Sequence, residues 1–235
     1  RGYHGMNIGC ISVGGMINNV KTFASVLMPG VQHMRHTHLP EHKFVSGQPE
    51  TGADRADDLE RIAMNFGPEN IAACIVEPIA GSTGTLVPPK GYLQKLREIC
   101  DKHGILLIFD EVITGWGRTG SSFAAHEFGV TPDIMTMAKA TTNGVVPMGV
   151  VACKDEIYDS VMDASPMGSV ELFHGYTYSG IPVAVAAALA VQDIFEKEDI
   201  FNRAKNLAPY FQKGLFSLKD LDSVDNIRGY GMMGG

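Results

Sequence analysis

Several stretches of the chain carry apolar residues about every 3.6 positions, the spacing of one face of an α-helix. In the first of them, Leu59, Ile62 and Phe66 share a face, and Gly67 with Pro68 ends the helix. By the same criterion we expect helices over residues 54–66, 91–103, 121–128, 184–195 and 200–218.

Runs of consecutive apolar residues alternate with these helices. They cover residues 71–76, 105–109, 133–138 and 149–153, and their length is typical of strands. Strands that are apolar along their whole length belong to sheets covered on both faces, which are largely parallel. The pattern therefore predicts an α/β fold with a mostly parallel sheet buried between helices.

The two ends of the chain show weaker patterns. Residues 1–52 are rich in loop-forming residues and predict irregular connections around short strands. Residues 223–235 end on a glycine-rich stretch, and we expect them to begin a second domain. This gives a large domain over 1–222, with an approximate boundary, and the start of a C-terminal domain over 223–235. We expect the chain to be a piece of a longer protein.

Composition narrows the range of partners. The 235 residues carry a formal net charge of −7 and no stripe of Lys or Arg, which argues against a nucleic-acid partner. The longest aliphatic run, residues 183–191, is far shorter than the roughly 18 residues that cross a bilayer. The four cysteines show no C-x-x-C spacing, which fits a reducing compartment such as the cytoplasm. Small molecules remain as the expected ligands.

His33, His36, His38 and His42 lie close together in the sequence and raise the question of a zinc site. Structural zinc sites combine such histidines with cysteine or place them at regular spacing on a helix. Pro40 breaks any helix here, so we expect a solvated loop and no metal. The chain also lacks a G-x-S-x-G segment, which leaves nucleophilic hydrolysis without support.

Three polar residues follow predicted strands: Glu77, Asp110 and Lys139. Ligands of parallel sheets bind at the carboxyl ends of the strands. A carboxylate and an amine at one sheet edge can hold a ring by a hydrogen bond at one side and a covalent imine at the other. The plainer alternative is that Asp110 and Glu111 cap the next turn and that Lys139 is a solvated loop residue. Spacing alone favours this alternative, because acids and lysines are common after strands.

Residues 115–120 read GWGRTG and match the dinucleotide-binding pattern G-x-G-x-x-G. That pattern works when its glycines form the turn from strand to helix and an acid ends the next strand. Here residues 110–114 separate the glycines from their strand, and the next strand leads to Lys139. The match is therefore a weak signal for a nicotinamide site.

Two longer segments closely resemble the class III pyridoxal-phosphate aminotransferases: IFDEVITGWGRTG at 108–120 and GVTPDIMTMAK at 129–139. RGYHG at 1–5 is similar to the ring-stacking loop of that family, and FHGYTYSG at 173–180 is similar to its phosphate loop. The most similar subgroup is the ω-amino acid:pyruvate, or β-alanine:pyruvate, transaminases. The resemblance implies the large domain of a fold-type I transferase, with pyridoxal 5'-phosphate as its cofactor.

The resemblance also implies a role for each matching residue. Lys139 would carry the cofactor as a Schiff base. Asp110 would pair with the protonated pyridine nitrogen and keep the ring an electron sink. Val112 would pack on one face of the ring and Tyr3 on the other.

Further positions are implied around this centre. His4 and Gly5 belong to the ring-stacking loop. Thr177 would bond the cofactor phosphate, in this family usually that of the neighbouring subunit, which implies a homodimer or a dimer of dimers. Glu77 would lie behind Asp110 as a supporting carboxylate.

The implied activity is transfer of an amino group from an ω-amino acid or an amine to pyruvate. Relatives that use 2-oxoglutarate often carry a glutamate where this chain has Ser82, and that glutamate masks a substrate-binding arginine; Ser82 therefore favours pyruvate. The family's upstream phosphate cup and downstream substrate arginine are absent, so we expect the chain to be catalytically incomplete. The alternatives are an aminomutase or a decarboxylase on the same scaffold, or a non-catalytic homologue.

Overall fold

The computed structural model describes residues 2–167, 172 and 174–235. Within this part of the chain, the helices are α1 (Ile8–Val13), α2 (Ile17–Thr22), α3 (Asp57–Phe66), α4 (Tyr92–His103), α5 (Ala124–Phe128), α6 (Asp155–Ala164), α7 (Pro182–Lys197) and α8 (Ile200–Phe216). The strands are β1 (Ala73–Val76), β2 (Leu106–Asp110), β3 (Ile134–Met137), β4 (Val150–Cys153), β5 (Gly229–Tyr230) and β6 (Met233–Gly234).

The first four strands form one sheet in the order β1-β2-β3-β4. The pairs β1–β2 and β2–β3 are parallel, and β4 runs antiparallel to β3. Each of the four strands falls on one of the apolar runs that the sequence marked, with β2 extending one residue further to Asp110, and helices alternate with the parallel strands as expected. The predicted α/β fold with a mostly parallel sheet is confirmed.

The core of the molecule packs α3 and α4 against one face of this sheet. Leu59 of α3 and Leu96 of α4 join Cys74, Leu107 and Phe109 in a single buried cluster. Helix α4 follows Gly91 and ends at Gly104, and both glycines adopt the left-handed conformation that is common at helix ends.

The opposite face of the sheet differs from the prediction. Side chains alternate between the two faces of a strand, so Ile75, Ile108 and Ile134 lie opposite the core cluster. These three residues are only half-buried, and Val151 of β4 is 70% exposed. The expectation of a sheet buried on both faces is therefore wrong for this chain. The core cluster takes its strand residues from one face, and apolar sequence alone cannot show which faces are covered.

The N-terminal region also differs from the prediction. Residues 1–52 were expected to hold irregular connections around short strands, but they contain α1 and α2. The side chain of Asn7 accepts a hydrogen bond from the backbone N–H of Cys10 and caps α1. Both helices are only six residues long, which is too short for an apolar period to be recognised. Helix α6 was not predicted either.

The last residues form the hairpin β5–β6, which packs onto the rest of the chain. Met233 belongs to the buried core, and the backbone N–H of Met232 donates to the carbonyl oxygen of Arg118 at 2.8 Å. Gly231 has φ +57°, and a Cβ atom there would lie 2.6 Å from that same oxygen. Glycine is therefore required at the tip of the hairpin. The domain boundary at residue 222 stays a prediction.

Helices α7 and α8 are the longest in the described part of the chain, with 16 and 17 residues. Neither they nor the other described helices combine the length and apolar character needed to cross a membrane.

Candidate active site

The carboxyl ends of β1, β2 and β3 meet at one edge of the sheet, because these strands are parallel. Glu77 directly follows β1, Asp110 is the last residue of β2, and Lys139 begins a short 3-10 turn just after β3. Asp110 is paired in register with Thr136 of β3. The strand order thus brings the three residues singled out in the sequence to a common edge.

Asp110 is held by two neighbours. Its Oδ2 lies 2.8 Å from Nδ1 of His4, and both side chains are less than a tenth exposed. Its Oδ1 accepts the backbone N–H of Val112 at 3.0 Å. The second contact closes a local turn, as the plainer interpretation required. The first joins the acid to a loop far away in the sequence and fixes the direction of the carboxylate.

Glu77 connects the same loop to the turn after β1. Its Oε1 accepts the backbone N–H of Tyr3 and its Oε2 accepts that of Gly81, each at 2.8 Å. Burial raises the pKa of the Glu77 carboxyl; the two backbone hydrogen bonds oppose that shift, and the charge of Asp110 adds to it. Glu77 therefore fastens the loop that carries His4 beside Asp110.

Lys139 lies in a strained and well-anchored turn. Its φ is +41°, a left-handed conformation that non-glycine residues rarely adopt. The indole Nε1 of Trp116 donates to Oγ1 of Thr141 at 3.0 Å, and that hydroxyl donates to the carbonyl of Ala138 at 2.9 Å. The side chain of Lys139 is exposed, and its amine makes no hydrogen bond or ion pair with another described residue. The turn is fixed while the amine stays available.

The Lys139 side chain opens into a cavity of about 720 Å³, called here the lysine cavity. Val112 contributes to its wall, together with Ser82, Arg118 and Phe211. None of the residues that line it carries a carboxylate. A cavity of this size is within the range of small-molecule and cofactor sites, about 300–1,000 Å³.

A second cavity of about 740 Å³ lies beside the edge strand β1. His4 and Glu77 contribute to its lining, but Asp110, Val112 and Lys139 do not. This second cavity therefore lies apart from the amine of Lys139.

The remaining predicted site residues have different surroundings. Tyr3 is half-buried, and its backbone is bound to Glu77. Gly5 has φ +117°, and a Cβ atom there would lie 3.0 Å from Sγ of Cys10, so the loop needs glycine at this position. Thr177 is exposed in a turn and lines neither cavity. Arg1 of the RGYHG segment and Phe173 of the FHGYTYSG segment lie outside the described residues.

Glu111 has a structural role that sequence reasoning left open. It is fully buried and accepts hydrogen bonds from the hydroxyl of Thr114 and from the backbone N–H groups of Ala124 and Ala125. Burial raises the pKa of the Glu111 carboxyl, against the lowering effect of these hydrogen bonds. Glu111 thus caps the start of α5, as the plainer interpretation proposed for this position.

The G-x-G-x-x-G match at 115–120 is part of the turns between β2 and α5. Helix α5 begins at Ala124, so the glycines do not form the N-terminus of a helix. The arrangement lacks the strand-to-helix turn that binds a dinucleotide pyrophosphate.

The histidine-rich segment is less solvated than expected. His42 is 3% exposed, and its ring contacts the backbone N–H of Leu39 and the hydroxyl of Thr51. The ring of His33 reaches the carbonyl of Gly14 at 3.0 Å. Among the described residues, no group of His, Cys, Asp and Glu has the arrangement of a metal site.

Comparison with known proteins places this chain in a family. The family model described as "Aminotransferase class-III" matches residues 1–235. The omega-aminotransferase of Caulobacter vibrioides is 55% identical over 100% of this chain, and the beta-alanine–pyruvate aminotransferase of Pseudomonas aeruginosa is 50% identical over 100% of it. These alignments cover 53% and 52% of the two relatives, so the chain spans about half the length of the curated relatives it matches.

Solved structures show the same likeness in three dimensions. An (S)-enantioselective omega-transaminase from Thermomicrobium roseum superposes with a TM-score of 0.90 at 38% identity, over 99% of this chain and 51% of that one. The omega transaminase from Pseudomonas jessenii in complex with PMP gives 0.86 at 35% identity, over 99% of this chain and 51% of that one.

Proposed function

The chain belongs to the class III aminotransferases, and from this premise we propose that it supplies the lysine-bearing part of a pyridoxal-phosphate-dependent transaminase. The enzyme moves an amino group from an ω-amino acid or an amine to pyruvate. The observation that carries the proposal is the lysine cavity, which both Lys139 and Val112 line. The Lys139 amine has no partner among the described residues, and the backbone N–H of Val112 donates to Asp110. The names of the similar proteins support transamination over the aminomutase and decarboxylase alternatives.

The residues present fit this cofactor. Pyridoxal phosphate needs an amine for its aldehyde carbon, a carboxylate for its pyridine nitrogen and apolar surface for its ring. In the lysine cavity Lys139 offers the amine and Val112 the apolar surface. Asp110 lines neither cavity and offers its carboxylate from the same sheet edge, where it accepts the backbone N–H of Val112. When bound, the cofactor supplies an electron sink for the bond broken at the substrate carbon.

Each side chain has a definable part in the reaction. Asp110 presents a negative charge to the pyridine nitrogen, and His4 with the backbone of Val112 holds that carboxylate in one orientation. The Nζ atom of Lys139 would hold the cofactor, and the same amine, once free, would take the proton from the substrate carbon that bears the amino group and deliver it to the cofactor. The Trp116–Thr141 hydrogen bond fixes the turn from which this amine extends. The strained turn keeps the Nζ atom of Lys139 in place.

The cofactor phosphate and the subunit arrangement belong to the same proposal. Thr177 is exposed on this chain, which agrees with a role at the phosphate of a neighbouring subunit. We therefore expect a homodimer or a dimer of dimers, which light scattering on the purified protein would measure. A cytoplasmic location is proposed from the unpaired cysteines: all four are free thiols in the structure.

The decisive experiment uses the full-length protein with β-alanine and pyruvate as substrates. Borohydride should trap the cofactor on Lys139, identified by peptide mass spectrometry, and Lys139→Ala should lose both the adduct and amino transfer. Lys154→Ala is the matched control, because Lys154 pairs with Asp133 away from the cavity. An adduct on a different lysine, or full activity in Lys139→Ala, would refute the assignment.

A further inference from the structure

Trp116 lies on the turn that follows β2, in a backbone conformation that tryptophan rarely adopts. Its φ is +59°, and its backbone N–H donates to the carbonyl oxygen of Ser122 at 2.6 Å. A bulky residue keeps a positive φ only where its surroundings hold it there. The contacts of the Trp116 side chain contribute to this hold.

The indole ring of Trp116 packs among aromatic side chains from distant parts of the chain. Its centroid lies 5.1 Å from the ring of Phe123 and 5.8 Å from the ring of Phe195 on α7. The ring of Phe195 in turn lies 5.6 Å from that of Phe201 on α8. Aromatic pairs at such distances attract one another beyond the effect of burial alone. The indole is therefore held against the two longest helices that the structure describes.

The polar edge of the indole is directed at the turn that carries Lys139. Nε1 of Trp116 donates to Oγ1 of Thr141 at 3.0 Å, and the same hydroxyl donates to the carbonyl oxygen of Ala138 at 2.9 Å. A hydroxyl has a single proton to donate, so the Thr141 hydroxyl is oriented by both contacts. Thr141 is 3% exposed, and water therefore competes little for either hydrogen bond. Two consecutive hydrogen bonds thus connect Trp116 to the peptide group just before Lys139.

Trp116 and Thr141 lie behind the wall of the lysine cavity. Neither residue is among those that line the cavity, whereas Lys139, Ala140 and Gly144 of the same turn are. The carbonyl oxygen of Lys139 accepts the backbone N–H of Gly144 at 3.2 Å, which closes the turn. Loss of the indole N–H would therefore loosen the turn without removing any group from the cavity wall.

We propose that Trp116 is a positioning residue for Lys139: by holding Thr141, it keeps the amine where it can bond to the aldehyde of pyridoxal phosphate. The inference rests on the proposed function and adds to it a residue that does not line the cavity. In the bonding step, Nζ forms a C=N bond to the aldehyde carbon, and the aldehyde oxygen leaves as water with the two amine protons. An amine on a turn that is already fixed loses less conformational freedom in this step, so the bond forms more favourably.

The experiment compares two forms of the cofactor on the full-length apoprotein. Pyridoxal 5'-phosphate bonds to Lys139, whereas pyridoxamine 5'-phosphate has the same ring and phosphate but no aldehyde. Trp116→Phe keeps an aromatic ring and removes the N–H. For this variant we expect the Kd for pyridoxal 5'-phosphate to rise at least about fivefold and the Kd for pyridoxamine 5'-phosphate to stay within about twofold.

Variants of Thr141 test the same connection from its other end. Thr141→Val removes the hydroxyl at nearly constant volume and should weaken pyridoxal 5'-phosphate as much as Trp116→Phe does. Thr141→Ser keeps the hydroxyl and should bind like the parent protein. The double variant should be no weaker than either single one, because both substitutions break one connection. Tyr158→Phe is the matched control, since it removes a polar hydrogen from an aromatic side chain that is 57% exposed on α6.

Hydrogen exchange makes the outcome independent of the cofactor. In the apoprotein, mass spectrometry should show faster exchange over residues 138–144 in Trp116→Phe and Thr141→Val than in the parent protein and Thr141→Ser. Unchanged exchange, an unchanged Kd for pyridoxal 5'-phosphate, equal losses for the two cofactor forms, or additive losses in the double variant would each overturn the inference.

Failure of the proposed function would look different. If pyridoxal 5'-phosphate forms no bond to Lys139 in the parent protein, the proposed function is refuted, and hydrogen exchange still decides whether Trp116 anchors the turn. If Trp116→Phe does not fold, the comparison of Thr141→Val with Thr141→Ser carries both measurements.

Discussion

The Nδ1 atom of His4 lies 2.8 Å from Oδ2 of Asp110, and the two residues are 106 positions apart in the sequence. Both side chains are almost completely enclosed, at 5% and 7% exposure. A hydrogen bond to an enclosed carboxylate contributes more than one at the surface, because water cannot replace the lost partner. Under the proposed function, His4 is thus a positioning residue for the acid that serves the pyridine nitrogen.

Replacing His4 should impair the reaction without removing the cofactor. In His4→Ala the carboxylate of Asp110 loses a partner that contributes about 1.5–3 kcal/mol, so we expect kcat to fall about 10- to 100-fold. His4→Asn restores a side-chain N–H near the position of Nδ1 and should recover most of the loss. Steady-state kinetics with pyruvate measures both variants.

The control for these variants is His103→Ala, because His103 pairs with Glu60 away from the site. A purely structural role of His4 would show equal losses in the alanine and asparagine variants, together with lower thermal stability. Unchanged kcat in His4→Ala would contradict the positioning role.

Asp110 itself should matter more than its partner. Asp110→Asn removes the negative charge that keeps the pyridine nitrogen protonated, and we expect kcat to fall by at least about 10²-fold, as when a key electrostatic group is lost. Asp101→Asn is the control, since Asp101 pairs with Arg97 on the surface of α4. Near-normal kcat in Asp110→Asn at full cofactor occupancy would exclude the proposed contact.

The expected acceptor, pyruvate, rests on Ser82, which lines the lysine cavity. A dicarboxylate such as 2-oxoglutarate needs a cation for its second carboxylate. Ser82 cannot mask such a cation as the glutamate of 2-oxoglutarate-using relatives does, so the cation would be costly to desolvate opposite an apolar substrate chain. We expect kcat/KM for pyruvate to exceed that for 2-oxoglutarate by at least about tenfold, or about 1.4 kcal/mol. The two acceptors are compared with one amine donor at the same pH. An equal or reversed preference would show that Ser82 does not determine the acceptor.

Glu111 should contribute to stability and not to turnover. Each of its carboxylate oxygens accepts a backbone N–H at the start of α5, and an amide has only one oxygen to offer. We expect Glu111→Gln to lower the free energy of unfolding by about 1–3 kcal/mol, because one enclosed N–H is left without an acceptor. Urea titration measures the change. Glu98→Gln, at an exposed position of α4, should leave stability unchanged.

The surroundings of Asp58 predict that the fold loses stability in acid. Its carboxylate accepts hydrogen bonds from Arg35 and Arg61, and the Arg35 hydrogen bonds lower the pKa of Asp58 from 3.8 to about 2. The depressed pKa stabilises the fold above about pH 4, and this contribution is lost as the pH falls toward 2. The guanidinium groups of Arg35 and Arg61 are half-exposed, so solvent screening reduces the contribution of the Asp58 charge to the free energy of unfolding to about 1–2 kcal/mol.

Asp58→Asn checks this assignment. The variant should be less stable than the parent protein at pH 6, and the difference should shrink as the pH is lowered from about 4 to 2. Urea titrations at each pH provide the free energies. A difference that does not depend on pH would mean that packing, and not the charge of Asp58, accounts for the loss.

The sequence predicted the sheet and the longer helices well because their apolar periods are long and end at glycine or proline. Helix α6 was missed; it is only ten residues long, and none of its residues is buried. The covering of one sheet face instead of two could not be predicted, since half-buried Ile75 and Ile108 are as apolar as enclosed Leu107.

The site was predictable in part for the same physical reason. Glu77, Asp110 and Lys139 follow strands, and the parallel topology brings strand ends together. The contact between His4 and Asp110 has no local signal, because it depends on how a distant loop is fastened by Glu77. Arg118 was visible only as one letter of a dinucleotide-like motif, and its exposure to the cavity required the three-dimensional structure.

The close approach of Gly231 to the carbonyl oxygen of Arg118 makes the hairpin tip a neighbour of the reaction site. A methyl group at position 231 would press on the turn that carries Arg118 and move the wall of the lysine cavity. Any side chain at this position would therefore disturb the cavity wall together with the hairpin, although Gly231 itself does not line the cavity. In a library screened for new amine substrates, Gly231 is a position to keep constant.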